Sequence, residues 1–190
     1  MKKSIMIIAL ALVSWSAYGQ QDHDKMKSHQ DDQDDVTKYK TVTKFQDQLA
    51  GLYESSLILT EAFVSSDPSV VKEKAVEVRK AMGKVDMKLL KGQAHMDWMK
   101  YNKLMNNSIV AFEKASSIAS QRKAYAVFSN NLYKSVKAFG MNGKEAYYQH
   151  CPMALNNTGA YWLSDKAEIR NPYFGDAMMK CGSTKEKIND

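Results

Sequence analysis

Residues 41–63 read TVTKFQDQLAGLYESSLILTEAF, and within them Val42, Phe45, Leu49, Leu52, Ser56, Leu59 and Phe63 follow one another at alternating steps of three and four. That spacing gathers them on one side of a 3.6-residue period, so the stretch predicts an amphipathic helix of about six turns. Ser66-Asp67-Pro68 then interrupts it, with Asp67 suited to an N-cap and Pro68 to the first helical position. The next stripe is Val71, Ala75, Val78, Met82, Val85 and Leu89, opposite Lys72, Glu73, Lys74, Glu77 and Lys80, with Gly92 expected at its end.

A third helix, beginning near Gln93, carries Trp98, Tyr101, Met105, Ile109 and Phe112. A fourth follows Ser116-Ser117 and carries Tyr125, Phe128, Leu132, Val136 and Phe139 before Gly140. Four amphipathic helices with short connections bury one another best as an up-down bundle, so the expected fold is mainly α. Past Gly143 the helical period stops. Residues 146–182 mix Tyr147, Tyr148, Tyr161, Trp162, Tyr173 and Phe174 with Pro152, Gly159, Pro172 and Gly175, which predicts an irregular segment of short extended pieces joined by turns.

The N-terminus reads differently. Lys2 and Lys3 precede an apolar run from Ile5 to Val13 and then Ala17 and Gly19, the order of a secretory signal cleaved near Gly19, so a periplasmic location is expected. Removing residues 1–19 takes two lysines and no acid with it, and the net charge falls from +6 to +4. Residues 20–40 form a polar tail; Gln20 to Asp35 holds six Asp and almost nothing apolar, a composition that cannot offset ordering entropy. His23, Met26 and His29 within it are spaced as loose soft-metal donors. Residues 41–190 are then one domain, including the segment 146–182. No other stretch approaches the ~20 apolar residues that span a bilayer. The modest, interspersed charge lacks the clustered cationic face that nucleic acid requires.

Both cysteines of the chain lie in the C-terminal segment and both have methionine nearby: His150-Cys151-Pro152-Met153 at one end, Met178-Met179-Lys180-Cys181-Gly182 at the other. Thiolate and thioether sulfur select monovalent copper or silver over hard cations, and an imidazole can complete the shell. The candidate ligands are Cys151, Met153, Met178 and Cys181, with His150 or Met179 as substitutes. A Cys151–Cys181 disulfide is the competing reading. Closing a loop of that length would stabilise the fold by about 3.7 kcal/mol on the chain-entropy model. Zinc suits two thiolates and an imidazole but leaves the methionines without a role. On the third helix, His95, Met96 and Met99 form a second group in which His95 and Met99 share a face.

Cys151-Pro152-Met153-Ala154, Gly159-Ala160-Tyr161-Trp162-Leu163-Ser164, Ile169-Arg170-Asn171-Pro172-Tyr173-Phe174-Gly175 and Met178 with Cys181-Gly182 resemble a bacterial domain-of-unknown-function family. His95-Met96-x-Trp98-Met99 and Gln121-Arg122 resemble its helical part, so the likeness extends over most of the chain after Gly19. The family occurs as small exported proteins and as an extension on periplasmic adaptors of heavy-metal efflux systems. The resemblance implies a heavy-metal context and an efflux adaptor or other envelope protein as partner, and no reaction.

Enzyme signatures do not stand out. The sequence has no Cys-x-x-Cys pair, His-Glu-x-x-His helix, Gly-rich phosphate loop or Gly-x-Ser-x-Gly elbow. The expected function is therefore non-enzymatic: copper(I) or silver(I) binding for buffering or transfer to efflux, or else a disulfide-closed interaction domain that holds no metal.

Overall fold

A computed structural model describes residues 36–189. The expected signal, residues 20–35 and the His23/Met26/His29 group lie outside the described residues. Four helices form the bundle: α1 (Thr43–Val64), α2 (Pro68–Met82), α3 (Gly92–Lys114) and α4 (Ile118–Phe139). Consecutive helices pack on one another, and α1 closes against α4.

Aromatic contacts at the two ends give the up-down order. Phe45 near the start of α1 lies 5.4 Å from Trp98 near the start of α3 and 5.3 Å from Phe139 at the end of α4. Phe63 at the other end of α1 lies 5.6 Å from Phe112 and 4.3 Å from Tyr125. Between these plugs run the expected stripes, with Leu49, Leu52, Leu59, Val71, Val78, Met105 and Ile109 fully buried. Val42, by contrast, is exposed and serves as the N-cap residue of α1.

Capping explains the helix starts. The Asp67 carboxylate accepts from the amides of Ser69 (2.8 Å) and Val70 (3.3 Å), with Pro68 at the first helical position. Ser117 caps α4 through the Ser120 amide at 3.3 Å. The second helix is shorter than its apolar stripe. It ends at Met82 with Gly83 as its cap, and the chain then makes a 3-10 turn over Met87–Leu89 under the Asp86 side chain. Val85 is still buried and Leu89 partly so, because the turn keeps their spacing after the helix has stopped. Gly92 therefore opens α3 rather than ending α2.

Residues 36–40 pack on the bundle. Tyr39 stacks on Phe139 at 5.5 Å, its amide donates to the Ala138 carbonyl at 2.7 Å, and its hydroxyl donates to Asp97 at 2.5 Å. The packed chain thus begins by Val36, ahead of Thr41.

The extended pieces after Gly143 join into a sheet. Strands β1 (Ala146–Cys151), β2 (Ala160–Ser164) and β3 (Ser183–Ile188) pair antiparallel in the order β2-β1-β3. Register with β3 shifts between Tyr148 and Gln149, which leaves Lys185 as the extra residue of a bulge. The sheet packs on α4: the ring of Tyr148 stacks on Tyr133 at 3.7 Å, and β2 runs against the same helix.

Leu52 sits at zero exposure in the middle of this core. Leu52→Ala should lower unfolding free energy by about 2–5 kcal/mol in denaturant titrations, and Asp67→Ala by about 1 kcal/mol through the lost cap.

Candidate functional site

Strand pairing brings the two cysteines together. Cys151 ends β1, and its neighbour His150 pairs with Ser183, which begins β3 two residues after Cys181. The sulfurs lie 2.7 Å apart, with Cys151 fully buried and Cys181 partly exposed. Two further groups hold the approach. Gly182 has φ 141°, and a Cβ there would stand 2.8 Å from the His150 carbonyl oxygen and 3.0 Å from the Trp162 ring. Only glycine lets the chain pass so close to β1 in that conformation.

Asn171 is the second. Fully buried, it donates from its amide nitrogen to the Cys181 carbonyl at 2.8 Å, accepts from the Tyr173 amide at 2.8 Å, and its own main-chain N–H donates to the Met179 carbonyl at 2.9 Å. One side chain thereby joins both ends of the 171–181 loop. Gln149, also fully buried, donates to the carbonyls of Lys166, Ala167 and Glu168 at 2.9, 3.3 and 3.4 Å and holds the loop that leaves β2. Arg122 of α4 reaches the segment as well, donating to the Pro172 carbonyl at 2.8 Å and to the Phe63 carbonyl at 3.2 Å and Ser66 hydroxyl at 2.8 Å beyond α1. Desolvation lowers its pKa, since these partners are neutral. None of the three was singled out as a candidate by residue chemistry. Asn171 and Arg122 enter the sequence reading only within the strings that carry the family resemblance, and Gln149 not at all.

The other candidates are placed as follows. Met153 follows Cys151-Pro152 and is 47% exposed, and its main-chain amide donates to the Cys181 sulfur. Leu155, Asn156 and Asn157 just beyond it all have positive φ, of 51°, 60° and 64°. Asn tolerates this, while for Leu155 it costs on the order of 1–2 kcal/mol. Met178 closes a 3-10 turn, and its carbonyl accepts from the Cys181 amide at 3.0 Å; Met179 follows, and both side chains are partly exposed.

His150 does not join the sulfurs. Neighbouring strand residues face opposite sides of a sheet, so His150 shares its face with Tyr148 and its register partner Tyr161 while Cys151 shares the other with Gln149 and Trp162. The rings agree: His150 lies 4.2 Å from Tyr161, itself 4.7 Å from Tyr148, and a Cβ on Gly159 would strike the His150 Nε2 at 2.6 Å. His95, Met96 and Met99 are at the start of α3, where Trp98 meets Phe139. The cysteines lie beside Tyr173, whose ring is 5.6 Å from Tyr125. Tyr125 and Phe139 are about 20 Å apart along α4, so the two groups occupy different regions of the domain. Among the described residues, no three His, Cys, Asp or Glu side chains converge on one point.

The Cys151 hydrogen bond, aided by desolvation, pushes the Cys181 thiol up to about 11, against a smaller opposing effect of the Met153 amide. In the metal-free reduced protein the Cys181 thiol is thus protonated at neutral pH, and a metal ion that binds its sulfur has to displace that proton.

Fold and site together define a four-helix bundle capped by a small sheet that closes on a dithiol. Residues 52–144, from the interior of α1 to the turn beyond α4, match the model of a family described as a protein of unknown function (DUF3347). The match covers the greater part of the bundle, from the interior of α1 through α4. The match ends before β1, so the Cys/Met segment that carries most of the resemblance in the sequence lies outside it. No curated protein and no solved structure matches the chain.

Alkylation of Cys181 in the reduced, metal-free protein should keep accelerating up to about pH 11, whereas in the unfolded chain it should level near pH 9. Between those values the unfolded chain has lost a proton that the fold retains, so this group's contribution to stability falls as pH rises. Asn171→Ala should speed alkylation at fixed pH by freeing the Cys181 turn, as measured by mass spectrometry of the modified peptide.

Proposed function

We propose that the chain is an exported, non-enzymatic protein that handles monovalent copper or silver through a redox-gated dithiol, in metal buffering or transfer to an envelope efflux partner. The observation that carries this reading is the meeting of the only two thiols of the chain, 2.7 Å apart, at a point where one is buried and the other partly exposed. Reduced, the pair offers two soft donors with exposed Met153 beside them, the donor class that selects a monovalent ion. Oxidised, it has no thiolate to offer, so disulfide and metal compete for the same sulfurs.

The residues present fit such an ion with one adjustment. Two sulfurs bound to a common ion at about 2.3 Å each stand farther apart than the observed 2.7 Å, so loading requires Cys181 to move outward. Its place on a partly exposed loop permits that movement, while Cys151 is held in β1. Zinc is the weaker candidate, because a structural zinc site asks for four protein donors and no third His, Cys, Asp or Glu approaches the pair among the described residues.

The close sulfur approach also favours a second reading, in which the pair is a disulfide that staples β3 and the 165–181 loop to β1 and the domain binds a partner without metal. Export rests on the order of residues 1–19, and among the described residues no helix is long and apolar enough to cross a membrane.

The two readings part on titration. Reduced protein should take up about one copper(I) at the dithiol with sulfur coordination visible by X-ray absorption, and Cys151→Ser or Cys181→Ser should each abolish tight binding there, Met153→Leu less so. Protein that oxidises fully in mild redox buffer, and whose reduced form shows no sulfur–copper coordination, would leave the staple reading.

A further inference from the structure

Three methionines stand in water at one corner of the bundle. Met96 is 61% exposed, Met99 41% and Met87 39%, although a thioether contributes most to folding when it is buried. Core packing therefore does not account for them. Met96 and Met99 are i, i+3 neighbours on the first turns of α3, and His95 and Met99 are i, i+4 neighbours, so Met99 shares one helical surface with each of the other two.

His95 is already oriented. Its Nδ1 lies 3.1 Å from the carbonyl oxygen of Met87 in the preceding 3-10 turn. In the neutral tautomer in which Nδ1–H donates to that oxygen, Nε2 carries the lone pair. A ligating histidine usually has this arrangement, one ring nitrogen tied to a carbonyl and the other left for the ion. The early end of α2 is what creates it, because the 3-10 turn after Gly83 brings the Met87 carbonyl to the His95 ring.

We propose that His95 Nε2 with the sulfurs of Met96 and Met99 forms a second soft-metal site, neutral and thiol-free, that takes one copper(I) or silver(I) ion. The Met87 carbonyl orients the histidine. Its three donors carry no charge, so calcium, magnesium and other hard cations gain nothing there to replace their water. The start of a helix, with its positive dipole end, also disfavours ions held by field alone and leaves soft donation as the selecting term. Having no thiol, the site is indifferent to disulfide formation. It therefore works in an oxidising compartment in which the dithiol is closed, and it does not depend on the dithiol reading.

Silver(I) is the probe, added to the full chain carrying Cys151→Ser and Cys181→Ser. Wild-type chain oxidised to the Cys151–Cys181 disulfide replaces it if that variant does not fold. Carbon-13 signals of the methionine methyl groups report each position separately and so distinguish this site from His23, Met26 and His29. The expected result is saturable shifts of the Met96 and Met99 methyls at one equivalent, with zinc(II) producing none. Met96→Leu with Met99→Leu should weaken that event roughly tenfold or more, and His95→Ala likewise. Because both methionines are exposed, the leucine pair should keep the parent's thermal midpoint. Methyls of Met96 and Met99 that stay in place under excess silver, a leucine pair that binds as tightly as its parent, or equal shifts with zinc would each overturn the site. Loss of copper at the dithiol alone would leave it standing.

Discussion

Helix α4 has to bury two faces at once, and the rest of the domain is arranged around that requirement. One face supplies Tyr125, Phe128, Leu132, Val136 and Phe139 to the bundle; the other presents Tyr133 to the sheet, where its ring lies flat against Tyr148 at 3.7 Å. A helix shared in this way transmits the position of the bundle to the strands. Tyr133 is fixed further by the Glu186 carboxylate, to which its hydroxyl donates at 2.7 Å, and by Lys137, which donates to that hydroxyl at 3.0 Å, so β3 is tied to the same turn of α4 as β1. The sulfur pair is set by this stacking order: helix, then β1, then β3 beside it.

Two elementary geometries then sort the soft donors. Strand alternation separates His150 from Cys151 although they adjoin in sequence, and antiparallel pairing joins Cys151 to Cys181 across thirty residues. Helix periodicity does the same at the start of α3, where residues three and four apart become neighbours on one surface and Met99 adjoins both Met96 and His95. The result is two chemically different groups at separate places, one able to form thiolate and disulfide, the other made of thioether and imidazole.

Ionic contacts add little to this frame. The forked pair between Arg170 and Glu61, at 2.8 to 3.2 Å, ties the 165–171 loop to α1, yet both side chains are about half exposed, and such pairs contribute roughly 0–1 kcal/mol. The neutral buried groups matter more. Asn171 and Gln149 would leave several main-chain groups without partners if truncated, and each such loss in the interior costs about 1–3 kcal/mol.

Much of the bundle was legible from residue spacing alone, because an apolar stripe of period 3.6 has one good solution in water, burial against other such stripes. The cap at Asp67 was legible too, since its hydrogen bonds are local, and the Ser116-Ser117 pair marked where α4 starts. Spacing misjudged the end of α2, because Val85 and Leu89 keep helical intervals through a turn that is not α-helical, and it read only one face of α4, because Tyr133, Ser129, Asn131 and Ser135 are buried but carry polar atoms. Ser135 satisfies its hydroxyl on the Asn131 carbonyl at 2.8 Å, a partner that no hydropathy pattern announces. For the candidate site, the sequence by itself determined which residues bring soft chemistry: two cysteines, the methionines around them and the His95 group. Only the tertiary structure decided that Cys151 and Cys181 meet, that His150 faces the other side of the sheet, and that Asn171, Gln149 and Gly182 hold the approach. These depend on strand register and on close passage between segments far apart in the chain, and neither is encoded in the identity of any one residue.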